Sequence, residues 1–276
     1  LWSRGLGDVY KRQQMDTMWK KADTPRSNAE GSLQHGGEVT TMNKHLATMR
    51  SVIPIFVNLV PDEQNVAKSK PNPLDLQIGD IKEKAYQRAF FLQKRVRVQG
   101  AAHGDVCVDW LDIEVPVIEG DKPRRPSLDM IGFVDGMSHL IAELKGPEGE
   151  SPFHAIQELL SYACCARDNH ARLVSHPSWK NGKEHGQIPN YWPEYKGKYL
   201  VVSGPREYWN KWRDQLALIA AAGSSWLIDS GLRGHRLILA EFDDENFAAQ
   251  RMAESKYAPQ VKSNIWSVLY EAYNPS

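Results

Sequence analysis

Stretches of helical and of strand periodicity follow one another along the chain, and their order is the first thing that can be read from it. Val52 to Val60 is a short apolar run that fits a strand or a buried helical turn, and a proline-rich loop, Pro61 to Pro73, follows it. From Asp80, Ile81, Ala85, Ala89 and Leu92 recur at helical spacing with Tyr86 and Phe90 alongside, which predicts a helix with Asp80 as its N-cap. Val106 to Ile118 reads as extended, and Pro116 places it at an edge or a bulge. Two short apolar runs, Leu128 to Val134 and His139 to Lys145, flank Asp135-Gly136 and predict a β-hairpin. Ser151-Pro152 supplies an N-cap and a first helical residue, and Phe153, Ile156, Leu159, Leu160 and Ala163 form the apolar stripe of the helix behind them. His170 to Tyr195 reads as a long loop with prolines and aromatic clusters. Lys198 to Ser203 predicts a strand, Pro205 opens a helix to about Ala222, and His235 to Phe242 predicts a further strand. The expected order is helix, three strands, helix, strand, helix, strand.

Composition sets limits on this reading. With 276 residues, 41% of them hydrophobic and 25% charged, the chain has the make-up of a globular protein with an ample core. No run approaches the length of a membrane-spanning helix, so no membrane partner is expected. The 34 basic and 34 acidic residues cancel, which argues against a strongly basic nucleic-acid coat and against an acidic disordered chain. Cys107, Cys164 and Cys165 form no C-x-x-C pair and no disulfide framework, so a reducing cytoplasmic location is expected. Leu1 to Gln14 precedes the first methionine, Met15, and resembles read-through sequence. Thr17 to Thr41 is polar and lacks a sustained period, so residues 1–50 are expected to be an artefactual or flexible tail.

The hairpin carries the chemistry. Asp129 and Glu143 are equally distant from Gly136, so a hairpin centred there sets them opposite each other. Alternation puts Lys145 on the face of Glu143. Opposed carboxylates repel, and the apolar neighbours Met130, Ile131, Ile141 and Leu144 reduce the solvent that would screen them. A divalent cation between the acids turns that cost into a gain, and Mg2+ suits a site of carboxylates completed by water and phosphate (Mn2+ is also compatible). Lys145 beside such a site can stabilise developing negative charge, or orient and deprotonate a water. Gln157, on the following helix, is placed to hydrogen-bond the water, Lys145 or a phosphate.

Asp129, Glu143-Leu144-Lys145, Gln157 and Tyr162 together resemble the PD-(D/E)XK nuclease superfamily. That resemblance covers roughly Asp80 to Ser203. It implies an α/β fold, a mixed central sheet flanked by helices with a restriction-endonuclease-like αβββαβ core and a C-terminal extension. The nuclease-like domain is then 51–250 and the extension 251–276. The resemblance further implies that Asp129 and Glu143 bind Mg2+ and that Lys145 acts in catalysis. Glu83 on the first helix is the candidate for an additional metal ligand. Relatives carry a Gln-x3-Tyr pattern on the second helix, whereas the spacing here is Gln157-x4-Tyr162. The usual proline directly before the aspartate is absent, with Pro126 three residues earlier. The expected function is Mg2+-dependent hydrolysis of phosphodiester bonds, in DNA first; the oligomeric state is open, with a homodimer one way to supply the two active sites that cutting a duplex often implies. The alternatives are an inert nucleic-acid-binding module and a metal hydrolase of small phosphoesters.

Other features carry less. His154, His170, His176 and His185 match no zinc spacing, and only His154 lies near the face of Gln157. Asp112 and Glu114 read as a solvated acidic face that could add a ligand. Tyr191, Trp192 and Tyr195 among lysines could stack bases, while Trp209 and Trp212 fit core packing. No P-loop, dinucleotide-binding or serine-hydrolase motif is present. The neutral total averages opposed segments: Asp80 to Val98 holds six basic residues and two acids, and Asp105 to Glu119 holds five acids and no Lys or Arg. Lys122, Arg124 and Arg125 lie just before the hairpin. The expectation is a localised cationic groove beside an acidic metal pocket.

Overall fold

The computed structural model describes residues 82–116, 127–135, 138–168, 197–243 and 263–275. The expectations for the N-terminal tail, Val52 to Val60, the Asp80 cap, Lys122 to Arg125 and the loop from His170 to Tyr195 lie outside these residues.

The described elements are α1 (Lys82–Leu92), β1 (Arg95–Gln99), β2 (Val106–Pro116), β3 (Ser127–Val134), β4 (Ser138–Leu144), α2 (Pro152–Asp168), β5 (Gly197–Pro205), α3 (Arg206–Trp212), α4 (Leu216–Asp229), β6 (Arg236–Phe242) and β7 (Ile265–Tyr273). The helix expected from Pro205 to Ala222 is thus two helices, separated by a single 3-10 turn at Arg213–Gln215. The hairpin forms as its apolar runs require, and Asp135 takes φ 52° at its turn. Ser151 caps α2 by accepting the His154 amide at 3.4 Å.

The open helix-flanked sheet of a restriction-endonuclease-like core is corrected: seven strands close into a barrel in sequence order. The two strands missing from the expected order, β1 and β7, are the reason. β7 pairs antiparallel with β6 and parallel with β1, through Arg97↔Ile265, Val98↔Trp266 and Gln99↔Ser267, so neither edge remains open. β7 lies in the segment expected to be a C-terminal extension. Each of strands β1 to β4 runs antiparallel to its neighbour, while β4, β5 and β6 run parallel, with α2 and then α3 and α4 as the crossovers.

Alternation along the strands feeds two cores. Leu140, Ala142, Leu144, Val201, Ile238 and Ala240 pack with α1, whose Phe90 meets Phe242 and Trp266 edge-on at centroid distances of 4.8 and 5.2 Å. Ile141, Leu200, Val202, Leu237 and Leu239 pack on the opposite face with the stripes of α2 and α4. Trp209 belongs to this second core and donates its indole N–H to the Ala240 carbonyl at 2.8 Å, while Trp212 packs against it. Gly223 lets α4 sit on β7, because a Cβ there would stand 2.9 Å from that of Ala272. Among the described residues, no helix is long and apolar enough to cross a membrane.

Candidate active site

The site lies where β4 ends and α2 begins. Register fixes its first pair: Met130 faces Ala142 and Ile131 faces Ile141, which sets Asp129 opposite Glu143. The Asp129 carboxylate accepts the Leu144 amide at 2.8 Å, so its orientation is set by the backbone of the partner strand. Glu143 and Lys145 share the parity of Ile141 and therefore face α2. Both are buried, at 4% and 5% exposure. The Lys145 ammonium donates to Glu143 Oε1 at 2.9 Å and to Glu158 Oε2 at 3.1 Å. Glu83, in the first turn of α1, accepts a backbone hydrogen bond from Gly146 and lies within electrostatic reach of Lys145 and Asp129. Asp129, Glu143, Lys145 and Glu83 thus converge from β3, β4 and α1.

Gln157 is buried on α2, and its backbone carbonyl accepts the Ser161 hydroxyl at 2.7 Å. Glu158, the next residue on this helix, accepts from Lys145. The signal for Glu158 was in the spacing: Glu158-x3-Tyr162 keeps both side chains on one helical face, where Gln157-x4-Tyr162 does not. Tyr162 is buried beside the acidic group, and its hydroxyl is held well above its ordinary pKa by burial and by Glu158. The side chains of Asp112 and Glu114 lie outside the described residues.

The electrostatics of the pocket are unbalanced. Burial, reinforced by Glu83, pushes the Asp129 carboxyl up to about 8. Burial and the facing Asp129 raise Glu143 well above the carboxylate range. Burial also raises Glu83, against the pull of Lys145. Lys145 would be lowered by burial, but Glu143, Glu158, Glu83 and Asp129 outweigh this and hold it above its ordinary value. Glu158 goes the other way: despite burial, Lys145 and His154 hold it far below the carboxylate range. His154 Nε2 lies 2.6 Å from Glu150 Oε2 and 3.4 Å from Glu158 Oε1, and these two acids lift the imidazole to about 9 against burial. Ligand-type atoms of Glu150, His154 and Glu158 all lie within 4.8 Å of one another.

Carboxylate oxygens without soft donors are the set that a hard divalent ion prefers. Asp129, Glu143 and Glu83 offer such oxygens from three elements, and the raised values of all three mark charge that a cation would compensate. Their donor type is one that a hard divalent ion accepts, although among the described residues the group whose ligand atoms all lie within 4.8 Å of one another is Glu150, His154 and Glu158.

Three of the six basic residues between Asp80 and Val98 are taken up within the fold. Arg88 is buried, Arg95 is paired with Asp109 at 2.6 Å, and Arg97 is paired with Asp105 at 3.2 Å. The opposed charges of the two segments meet across β1 and β2.

No family model, no curated protein and no solved structure matches this chain.

Proposed function

We propose that this protein is a Mg2+-dependent phosphodiester hydrolase, a nuclease with DNA as its expected substrate. One observation carries the reading: a buried lysine shared between two carboxylates, beside two further acids raised by burial and mutual repulsion, at one end of a hairpin. A buried salt bridge with surplus carboxylates is a poor device for stability, and strongly perturbed groups gathered in one place favour a chemical role. The reading rests on this constellation and its sequence pattern, since the closed sheet is not the architecture that the pattern implied.

Asp129 and Glu143 would hold the ion, with Glu83 as a third carboxylate from α1. A divalent cation bound there polarises the scissile phosphate and acidifies a bound water. The chain's own residues do the rest. Lys145 keeps its proton among the carboxylates, so it acts as a charge donor toward a phosphate oxygen and not as a base. An ammonium has three donors, and among the described residues Glu143 and Glu158 accept from it. Glu158, which accepts from Lys145, adds a positioning residue from α2 beside Gln157.

The test is a substrate panel. Purified protein is incubated with linear, circular and single-stranded DNA and with RNA, in Mg2+, Mn2+ or EDTA. Cleavage of DNA with either metal, abolished by EDTA, is the expected result. Tight DNA binding that ignores EDTA, with no cleavage of any substrate, would replace this reading with that of an inert binding module.

A further inference from the structure

We infer that His154 is a positioning residue, which fixes Lys145 by holding the Glu158 carboxylate from its other oxygen. The inference rests on the function proposed above. Each oxygen of the Glu158 carboxylate has its own partner: Oε1 lies 3.4 Å from His154 Nε2, and Oε2 accepts Lys145 Nζ at 3.1 Å. A glutamate held at both oxygens has one orientation, so the lysine it supports has one position relative to Glu143.

His154 is itself anchored. Its Nε2 lies 2.6 Å from Glu150 Oε2, and the Glu150 backbone carbonyl accepts the Tyr208 hydroxyl at 2.8 Å. An alternating line of acids and cations therefore runs from the segment before α2, through Glu150, His154, Glu158 and Lys145, to Glu143 on β4.

Two simpler accounts compete. Pairs one helical turn apart on an exposed helix contribute little. Here, however, His154 and Glu158 side chains are only 13% and 20% exposed, and Glu158 leads to a lysine with a 6% exposed side chain. Alternatively, Glu150, His154 and Glu158 could bind a cation together, since their ligand atoms cluster. That arrangement would place a metal where the imidazole now bridges both acids, and it makes a different prediction.

The experiment uses the full chain, with thermal melting to verify that each variant is folded. His154→Gln, Glu158→Gln and the double variant are compared for Mg2+-dependent cleavage, for Mg2+ half-saturation, and for the side-chain ammonium signal of Lys145 in lysine 15N–1H spectra. That signal is assigned by its loss in Lys145→Arg. The expected result is a fall in turnover of about tenfold in each single variant, no greater fall in the double variant, unchanged half-saturation, and loss of the protected ammonium signal in all three. Glu150→Gln is the second route: it loosens His154 without touching Glu158 and shifts both readouts the same way.

If the parent cleaves no substrate, the nuclease reading fails, while the ammonium signal still decides the His154–Glu158–Lys145 link. Additive losses, or an ammonium signal unchanged in folded His154→Gln, would overturn the inference. So would a changed metal half-saturation with the signal intact, which would make His154 a ligand.

Discussion

Asp129 and His154 make the pocket sensitive to pH in a direction that can be worked out. The Asp129 carboxyl is pushed up from 3.8 to about 8, so between these values the folded chain holds a proton that the unfolded chain has lost. Stability from this group is complete below pH 3.8 and falls as pH rises toward about 8. His154, raised from 6.5 to about 9, gives a contribution that is lost across that interval. Glu150 and Glu158 are lowered, so their contribution is lost in acid, as pH falls below 4.5. We therefore predict that in EDTA the melting temperature drops from about pH 6 to about pH 8, and that Mg2+ or Mn2+ restores more at the higher pH, because the cation replaces the proton. Asp129→Asn should melt higher than the parent in EDTA at pH 8 and gain little from metal. Melting curves across pH, with and without metal, check this; an equal metal-induced gain in variant and parent would contradict it. At this scale much was legible. Hairpin symmetry about Gly136 placed Asp129 against Glu143, and alternation placed Lys145, because both follow from the chain alone. Glu158 was missed because choosing between adjacent helical residues needs the rotation of α2, which the sheet sets.

β7 closes the barrel, and its packing explains how. Trp266 is fully buried from β7 between Phe90 of α1 and Trp110 of β2, with centroid distances of 5.2 and 5.4 Å. Trp266→Ala should cost about 3–5 kcal/mol, the range for removing a buried aromatic, measured by denaturant unfolding. A cost below about 1 kcal/mol would mean that β7 is not an integral strand. Gly223→Val places a side chain against Ala272 and should cost about 1–3 kcal/mol through overpacking between α4 and β7. Both strands that escaped the sequence reading have physical reasons for doing so. β1 is five residues long, and its exposed positions include Arg95 and Arg97, which merge with the basic stretch around α1. β7 stands far along the chain from β1, so nothing local announces their pairing. The other elements were readable from apolar period and from turn or cap residues, Asp135 and Ser151 among them.

Neutrality of the whole molecule has a spatial counterpart in the pairing of Arg95 and Arg97 with Asp109 and Asp105. Exposed pairs of this kind contribute only about 0–1 kcal/mol to stability, yet they engage cations that could otherwise meet a phosphate. Replacing Arg95 and Arg97 with Gln should therefore leave DNA affinity within about twofold, and replacing Lys122, Arg124 and Arg125 should weaken it and flatten its salt dependence. Fluorescence anisotropy with labelled DNA in Ca2+ at several salt concentrations separates the two sets; a larger loss from the Arg95 and Arg97 changes would show that these pairs open on binding. The claim on which the account depends most is that the carboxylate–lysine pocket performs metal-dependent cleavage. It is tested most directly by supercoiled plasmid in Mg2+ with the parent, Asp129→Asn and Lys145→Met, each verified as folded. The account predicts nicked or linear DNA from the parent and rates lower by at least about a hundredfold from both variants. Cleavage by either folded variant at the parental rate would contradict it.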